Sequence, residues 1–355
     1  MVISPSVLYG AVEKRRNTGE ARDMVEHNGK PIAALVLLSG GLDSRLAAIL
    51  LKAQGVQVTG ITFETPFFSA DRGREAAAQL NVPLIVEDYT ETLLGIIEHP
   101  RHGFGSCINP CIDCHTAMLR YAGQRMEREG FHLVATGEVL NQRPMSQTRR
   151  NLAVVASESG YKDWILRPLS AKLLPETEPE RRGWVDRGRL LDLNGRSRKP
   201  QTRLAEEYGI TDYPKAAGGC RLTEPNYAAR LRDLRAHKQL RDLHAIQLLR
   251  VGRQFRLNSA VKVVIGRDAA DNGAIEALAQ PEDVLFRFES IPGPSALVTG
   301  KPSEADLHLA ATLCARYSDA MPGQEVDVSI RSASGAGHLR VTRADEMEVE
   351  RLRIK

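Results

Sequence analysis

Residues 35–44 read Leu-Val-Leu-Leu-Ser-Gly-Gly-Leu-Asp-Ser, and no other stretch limits the fold as much. Four apolar residues followed at once by turn chemistry predict a buried parallel strand. From Ser44 onward the pattern predicts a helix that Gly55 stops. Gly40 and Gly41 take side chains away from the turn, so backbone N–H groups and the helix N-terminus can hold an anion there. Ser39 and Ser44 add hydroxyl donors.

The lysine and spacing of a Walker A loop are absent, so phosphate transfer of that type is not supported. Ser-Gly-Gly-Leu-Asp-Ser instead resembles the PP-loop of the N-type ATP pyrophosphatases, which grip the pyrophosphate of ATP and pass AMP to an acceptor oxygen. The resemblance implies that Ser39, Gly40, Gly41, Leu42, Asp43 and Ser44 hold ATP, with Asp43 positioning Mg2+ during catalysis. The plainer alternative is a strand-to-helix turn in which Ser and Asp are only caps.

Downstream, the periodicity alternates. Strands are expected at 56–63, 82–87 and 132–136, and helices at 71–80, 91–98 and 114–129. Such repetition implies an α/β domain with a parallel sheet, right-handed crossovers and a site at the C-terminal edge of the strands. Ser39, Phe63, Glu64 and Thr136-Gly137-Glu138 are expected to converge on that edge, which makes Phe63 a nucleotide-binding candidate.

Residues 135–148 read Ala-Thr-Gly-Glu-Val-Leu-Asn-Gln-Arg-Pro-Met-Ser-Gln-Thr, with Ile165-Leu166-Arg167-Pro168-Leu169 after them. This resembles the tRNA 4-thiouridine synthetase family, whose PP-loop domain carries a similar T-G-E-x-L-x-Q…S-Q segment. The resemblance implies that Gly137, Glu138 and Gln142 lie near the nucleotide, with Arg143, Ser146 and Gln147 nearby. The alternative is a capped loop, its polar groups satisfied locally, running into a helix at Met145. Residues 1–30 are too few for that family's RNA-binding domain, and no rhodanese domain is expected downstream.

Sulfur must then arrive by another route. Cys107, Cys111 and Cys114 lie in Cys-Ile-Asn-Pro-Cys-Ile-Asp-Cys, and Cys220 follows Gly218-Gly219. This set resembles the iron–sulfur-dependent tRNA thiolation enzymes, which implies that Cys111, Cys114 and Cys220 hold a four-iron four-sulfur cluster with one iron open to sulfide. Two alternatives stay open: a closed zinc site with Cys107 or His115 as fourth ligand, and metal-free thiol chemistry. Cys314, within an apolar helical pattern, is expected in the core.

The net charge of +4 hides two basic windows. Residues 181–203 and 230–256 each carry eight Arg or Lys against two Asp, which leaves the remainder at −8. Clusters of this kind suit a phosphate backbone, although a solvated helix face would show the same pattern. Residues 175–213 are expected to be helical decoration lining an acceptor groove, and 227–250 one or two basic helices. Strands expected at 255–265, 284–289, 296–298, 325–330 and 338–342, with a helix at 303–318, describe a small α+β domain.

Within it, Ile265-Gly266-Arg267-Asp268…Asn272 and Ile291-Pro292-Gly293-Pro294-Ser295 resemble the NFACT-type RNA-binding domain. The chain departs from that family at Asp283-Val284-Leu285-Phe286-Arg287, where Asp-x-Trp-x-His is common. The alternative is a domain that only packs or forms a homodimer. The expected boundaries are an extension at 1–30, an ATP-binding domain at 31–175, a basic helical region at 176–253 and the RNA-binding domain at 254–355.

A chain that is 42% hydrophobic, with no signal peptide and no apolar run long enough for a membrane span, is expected in the cytoplasm. Five clustered cysteines also fit a reducing compartment better than a disulfide framework. The combined reading is an ATP-dependent tRNA sulfurtransferase that adenylates a uridine oxygen and receives sulfur from sulfide or a donor protein. A PP-loop ligase or amidotransferase for a small molecule, or an RNA-binding adaptor, are the alternatives.

Overall fold

The computed structural model describes residues 26–27, 29–214 and 219–355, so 1–25 and 28 of the expected extension, and Gly218, lie outside the described residues. Two compact units account for the described residues. The first takes in 26–27, 29–62, 71–86 and 116–214, the second 63–70, 87–115 and 219–355.

In the first unit, β1 (Glu26–His27) and β2 (Lys30–Pro31) form a small antiparallel pair. The main sheet has the order β5-β4-β3-β6-β7, built from β3 (Ala33–Leu37), β4 (Gln57–Glu64), β5 (Leu84–Asp88), β6 (Leu133–Thr136) and β7 (Ile165–Leu166). β3 is central and pairs in parallel with both β4 and β6, and β6 pairs in parallel with β7. Helix Leu42–Lys52 follows β3 directly and helix Asp71–Leu80 follows β4, the latter with the expected bounds.

Ala34, Val36 and Leu38 pack with Ala48, Leu51, Val58 and Ala76. Trp184, Val185 and Leu190 join the same core. Leu42, Leu46 and Leu50, one helical face at four-residue spacing, bury against Val139, Leu169, Ala205 and Ile210. The 184–210 stretch, expected as decoration, is therefore part of the unit's core. The helix that the capped-loop alternative started at Met145 begins at Arg149, because the Thr148 hydroxyl accepts from the Asn151 N–H and fixes the start there.

The second unit carries an antiparallel sheet of order β13-β12-β10-β11-β9-β8. Its strands are β8 (Arg253–Arg256), β9 (Lys262–Ile265), β10 (Val284–Phe288), β11 (Ala296–Thr299), β12 (Val326–Ser332) and β13 (Gly335–Val341). The single strand expected at 255–265 is two, because Asn258 Oδ1 accepts from the N–H groups of Ala260 and Val261 and turns the chain between them. Helix Glu304–Ala315 opens on a capping box at Ser303 and lays Ala310, Ala311 and Cys314 on the sheet's Val263, Phe286 and Val298. Cys314 is buried in that core, as expected, and burial pushes its thiol upward.

Helix Pro225–Ala236 and helix Leu243–Leu248 occupy the expected 227–250 region. Among the described residues no helix is long and apolar enough to cross a membrane.

Candidate active site

Gly40 adopts φ +78°, and a Cβ built on it would stand 2.1 Å from the carbonyl oxygen of Arg72. Only glycine fits there, for reasons of both backbone and space. Gly41 is the N-cap of helix Leu42–Lys52, whose first-turn N–H groups have no intrahelical acceptors. The Ser44 hydroxyl donates to Gly41 O at 2.8 Å and lies 3.5 Å from Ser39 Oγ. Arg45, buried, donates through Nε to Gly40 O at 3.1 Å and through Nη1 to Gln79 and to Asp212 O. Its guanidinium thus ties the turn to two other parts of the unit.

Asp43 is the centre of a network that links distant segments. Its Oδ2 accepts from Gln142 Nε2 at 2.6 Å and from Arg198 Nη2 at 3.0 Å, while its Oδ1 is buried without a donor. Gln142 Oε1 in turn accepts from Gln201 Nε2 at 2.7 Å. Gln142 was expected near the nucleotide, and it lies against the loop carboxylate; Arg198 and Gln201 were not singled out. The only sequence signal for them is membership of the 181–203 basic window.

Gly137 lies where a Cβ would meet Ser44 N at 2.4 Å, so the end of β6 touches the loop. Glu138 is buried and accepts from Arg167 Nε at 2.9 Å and from Thr136 Oγ1 at 3.1 Å. Its carboxylate is thus committed to an internal ion pair that fixes the strand end beside Gly137. Ser146 and Gln147 are also buried, and Gln147 closes the loop by donating its N–H to Arg143 O and offering its carbonyl to Asn141 N–H. Phe63 and Glu64 end β4, and the Phe63 ring meets Tyr89 edge-on at 5.1 Å.

The second unit holds all five cysteines, four of them outside the core that buries Cys314. Helix Cys111–Glu129 starts three residues before the expected Cys114, directly after Pro110, whose carbonyl accepts from Cys114 N–H. Asn109 organises the preceding loop: its Oδ1 accepts from Cys107 N–H at 3.2 Å and its Nδ2 donates to Cys111 Sγ at 3.1 Å. The Cys220 segment folds back onto this loop, with Ile108 N–H donating to Leu222 O at 3.4 Å and Cys107 Sγ to Thr223 O at 3.5 Å.

Cys114 is half-buried, and desolvation raises its thiol well above the ordinary value, with nearby Cys220, Cys111 and Asp113 adding to the shift. Asp113 is held by His102, whose Nδ1 lies 2.7 Å from one carboxylate oxygen. The three expected thiols are brought into one neighbourhood. Among the described residues, however, no three His, Cys, Asp or Glu side chains are arranged to hold a metal ion.

Most arginines of the basic windows are spent internally. Arg182 stacks over Trp164 and Trp184, Arg187 pairs with Glu180, and Arg189 donates to Ala53 O. In the second window Arg230 donates to Leu249 O and Gly252 O, Arg241 pairs with Glu91 and Glu98, and Arg256 grips Asp233. Arg143, Arg196, Lys199, Arg203, Arg232 and Lys238 are exposed.

Residues 29–172 match the family model described as thiamine biosynthesis protein (ThiI), and residues 252–353 match that of the NFACT protein RNA binding domain. Among curated proteins, the chain is 29% identical over 219 residues to a tRNA-specific 2-thiouridylase MnmA of Herpetosiphon aurantiacus, covering 54% of this chain and 56% of that one. It is 30% identical over 151 residues to a probable tRNA sulfurtransferase of Thermoanaerobacter sp., covering 40% and 37%. The match thus spans about half, or less, of these relatives' length. Among solved structures, a 4-thiouridine synthetase–RNA complex with bound ATP is similar at 22% identity over 61% of this chain and 53% of that one, with a TM-score of 0.36. The expected PP-loop domain resembling 4-thiouridine synthetase and the expected NFACT-type domain are thus both present.

Proposed function

We propose that this chain is an ATP-dependent tRNA thiolase. The observation that carries the reading is Asp43: a carboxylate with one buried oxygen left without a donor, set one residue into a helix whose N-terminus is opened by Gly40 and Gly41. The two domain matches and the relatives named for tRNA thiolation support it.

ATP would lay its phosphates against the N–H groups of the loop and the first helical turn. Mg2+ fits the donor chemistry here, since it takes one or two carboxylates together with phosphate oxygens, and Asp43 would hold it. When bound, it would neutralise phosphate charge. A uridine carbonyl oxygen would attack the α-phosphorus as the bond to the pyrophosphate oxygen breaks, giving an adenylated uridine and free pyrophosphate. A sulfur nucleophile then attacks the activated ring carbon, and AMP leaves with the oxygen.

Cys111, Cys114 and Cys220 are the proposed sulfur-handling residues; the persulfide of a donor protein in the cytoplasm would pass its outer sulfur to one of them, whereas free sulfide would attack the activated ring carbon directly. Among the described residues no three side chains are arranged to hold a single metal ion, and no step is derived through a metal. Recognition of tRNA would rest on shape and on an unstacked nucleotide, because the acceptor atom must reach the loop.

The test is pyrophosphate release from ATP with and without tRNA. Release that depends on tRNA is expected. Release indifferent to tRNA would indicate a small-molecule ligase, and no release an RNA-binding adaptor.

A further inference from the structure

Arg198 belongs to a stretch outside both family models, yet it supplies the cation that meets Asp43. The pairing is incomplete on both sides. Gln142 and Arg198 both donate to Asp43 Oδ2, while Asp43 Oδ1, Arg198 Nε and Gln201 Oε1 are buried without partners. Buried polar atoms are nearly always satisfied, so three orphans around one carboxylate mark a place where further donors and acceptors belong.

Arg198 is also placed against the local field. It is the N-cap of helix Lys199–Glu207, where a cation opposes the helix dipole and an anion is favoured. Lys199 follows it and Arg196 precedes it, both exposed. The segment is anchored to the one carrying Gln142: Gly195 N–H donates to Leu140 O at 2.8 Å, and Asn141 Nδ2 to Asn194 Oδ1 at 2.9 Å. Asp43, Gln142 and the 194–201 stretch therefore form one assembly, with Arg196, Arg198 and Lys199 close together in sequence at a helix start.

Resting on the nucleotide reading of residues 39–44, we propose that Arg198 is a ligand-responsive phosphate-binding residue. Without nucleotide it neutralises Asp43. Were a nucleoside triphosphate to bind with a divalent cation, Asp43 would hold the cation and the Arg198 guanidinium would turn to a phosphate. Two positive groups cannot share one carboxylate without repulsion, and a triphosphate brings enough negative charge to hold the released arginine at the site.

Opposed changes in two affinities test this on the full chain. Binding of a non-hydrolysable ATP analogue in Mg2+ is measured by calorimetry, and binding of Mn2+ without nucleotide by electron paramagnetic resonance. Arg198→Met is expected to weaken analogue binding about tenfold or more while strengthening Mn2+ binding several-fold. Arg198→Lys, which keeps the charge but loses the planar fork, is expected to leave Mn2+ binding unchanged and to fall between the other two proteins for the analogue. If Arg198→Met binds both ligands more tightly, the arginine only blocks Asp43 and the proposal fails. It fails equally if both weaken by the same factor, as loss of packing would produce. A wild-type protein that binds no analogue would instead overturn the nucleotide reading itself.

Discussion

Gly137 and Ser44 meet so closely that a Cβ on the glycine would stand 2.4 Å from the Ser44 backbone nitrogen. Nothing flexible lies there to give way, because the neighbouring contacts are the backbone carbonyl carbon and oxygen of Asp43. Gly137→Ala is therefore expected to push the loop off its strand and weaken ATP binding at least tenfold. The strain should also cost about 1–3 kcal/mol of stability. Calorimetry with nucleotide, alongside chemical denaturation, would read both, and unchanged affinity would show that the contact does not shape the site.

Asp43→Ala is expected to abolish tRNA-dependent pyrophosphate release while leaving tRNA affinity within about twofold. The carboxylate faces Gln142 and Arg198. Full activity in the variant would remove the adenylation reading.

The arrangement around Asp43 also shows where sequence reading stops. Strand, turn and helix at 33–52 follow from local chemistry, since apolar run, glycines and cap lie within twenty residues. The meeting of Asp43 with Arg198 spans 155 positions and depends on how the 184–210 stretch packs, for which a charge count carries no signal. The basic windows were legible as charge but not as partners. Arg182 over two tryptophans and Arg256 on Asp233 look, in sequence, the same as an RNA footprint. Boundaries failed where one side chain decided them, as Asn258 does between β8 and β9 and Thr148 before the 149–159 helix.

Those internal pairs yield a contrast in salt dependence. Arg232 and Lys238 are exposed, whereas Arg256 and Asp233 bury their pair. Replacing Arg232 and Lys238 with Ser is expected to lower tRNA affinity and to flatten its salt dependence by about one unit of slope per lost phosphate contact. Arg256→Met should leave that slope alone and destabilise the fold by about 3 kcal/mol, because it strands Asp233. Filter binding across a salt series separates the two; a flattened slope in Arg256→Met would reverse the assignment.

Lys262 gives a pH test of the second unit. It is buried in β9, and desolvation lowers its pKa to about 7, with Arg256 and Arg230 pushing the same way and Asp233 and Asp242 opposing. Between about pH 7 and the unfolded value of 10.5, the unfolded chain holds a proton that the folded one lacks. Stability from this group must then rise with pH across that window, by about 1.4 kcal/mol per unit, and reach its lowest value below pH 7. Lys262→Met should be the more stable protein at pH 7, with its advantage shrinking toward pH 10. Parallel denaturation curves at pH 7 and 9.5 would contradict the depressed value.

The thiols give the most exposed prediction. Cys111, Cys114 and Cys220 come from two segments over a hundred residues apart, and the hydrogen bonds of Ile108 and Cys107 to the 222–223 carbonyls hold those segments together. If the three thiols handle sulfur after the uridine is activated, each Ala substitution should abolish thionucleoside formation and still permit tRNA-dependent pyrophosphate release. Cys107 differs in kind: its Sγ is turned to a backbone carbonyl and its N–H is held by Asn109, so Cys107→Ala should retain most thiolation. Asn109→Ala removes both the loop clamp and the donor to Cys111 Sγ, and is expected to reduce sulfur transfer without touching adenylation. Nucleoside mass spectrometry of the tRNA product, run beside a pyrophosphate assay, reads the two half-reactions separately. Loss of both together in the cysteine variants would mean that the thiols support the fold, and a Cys107 variant as inactive as the others would end the three-thiol assignment.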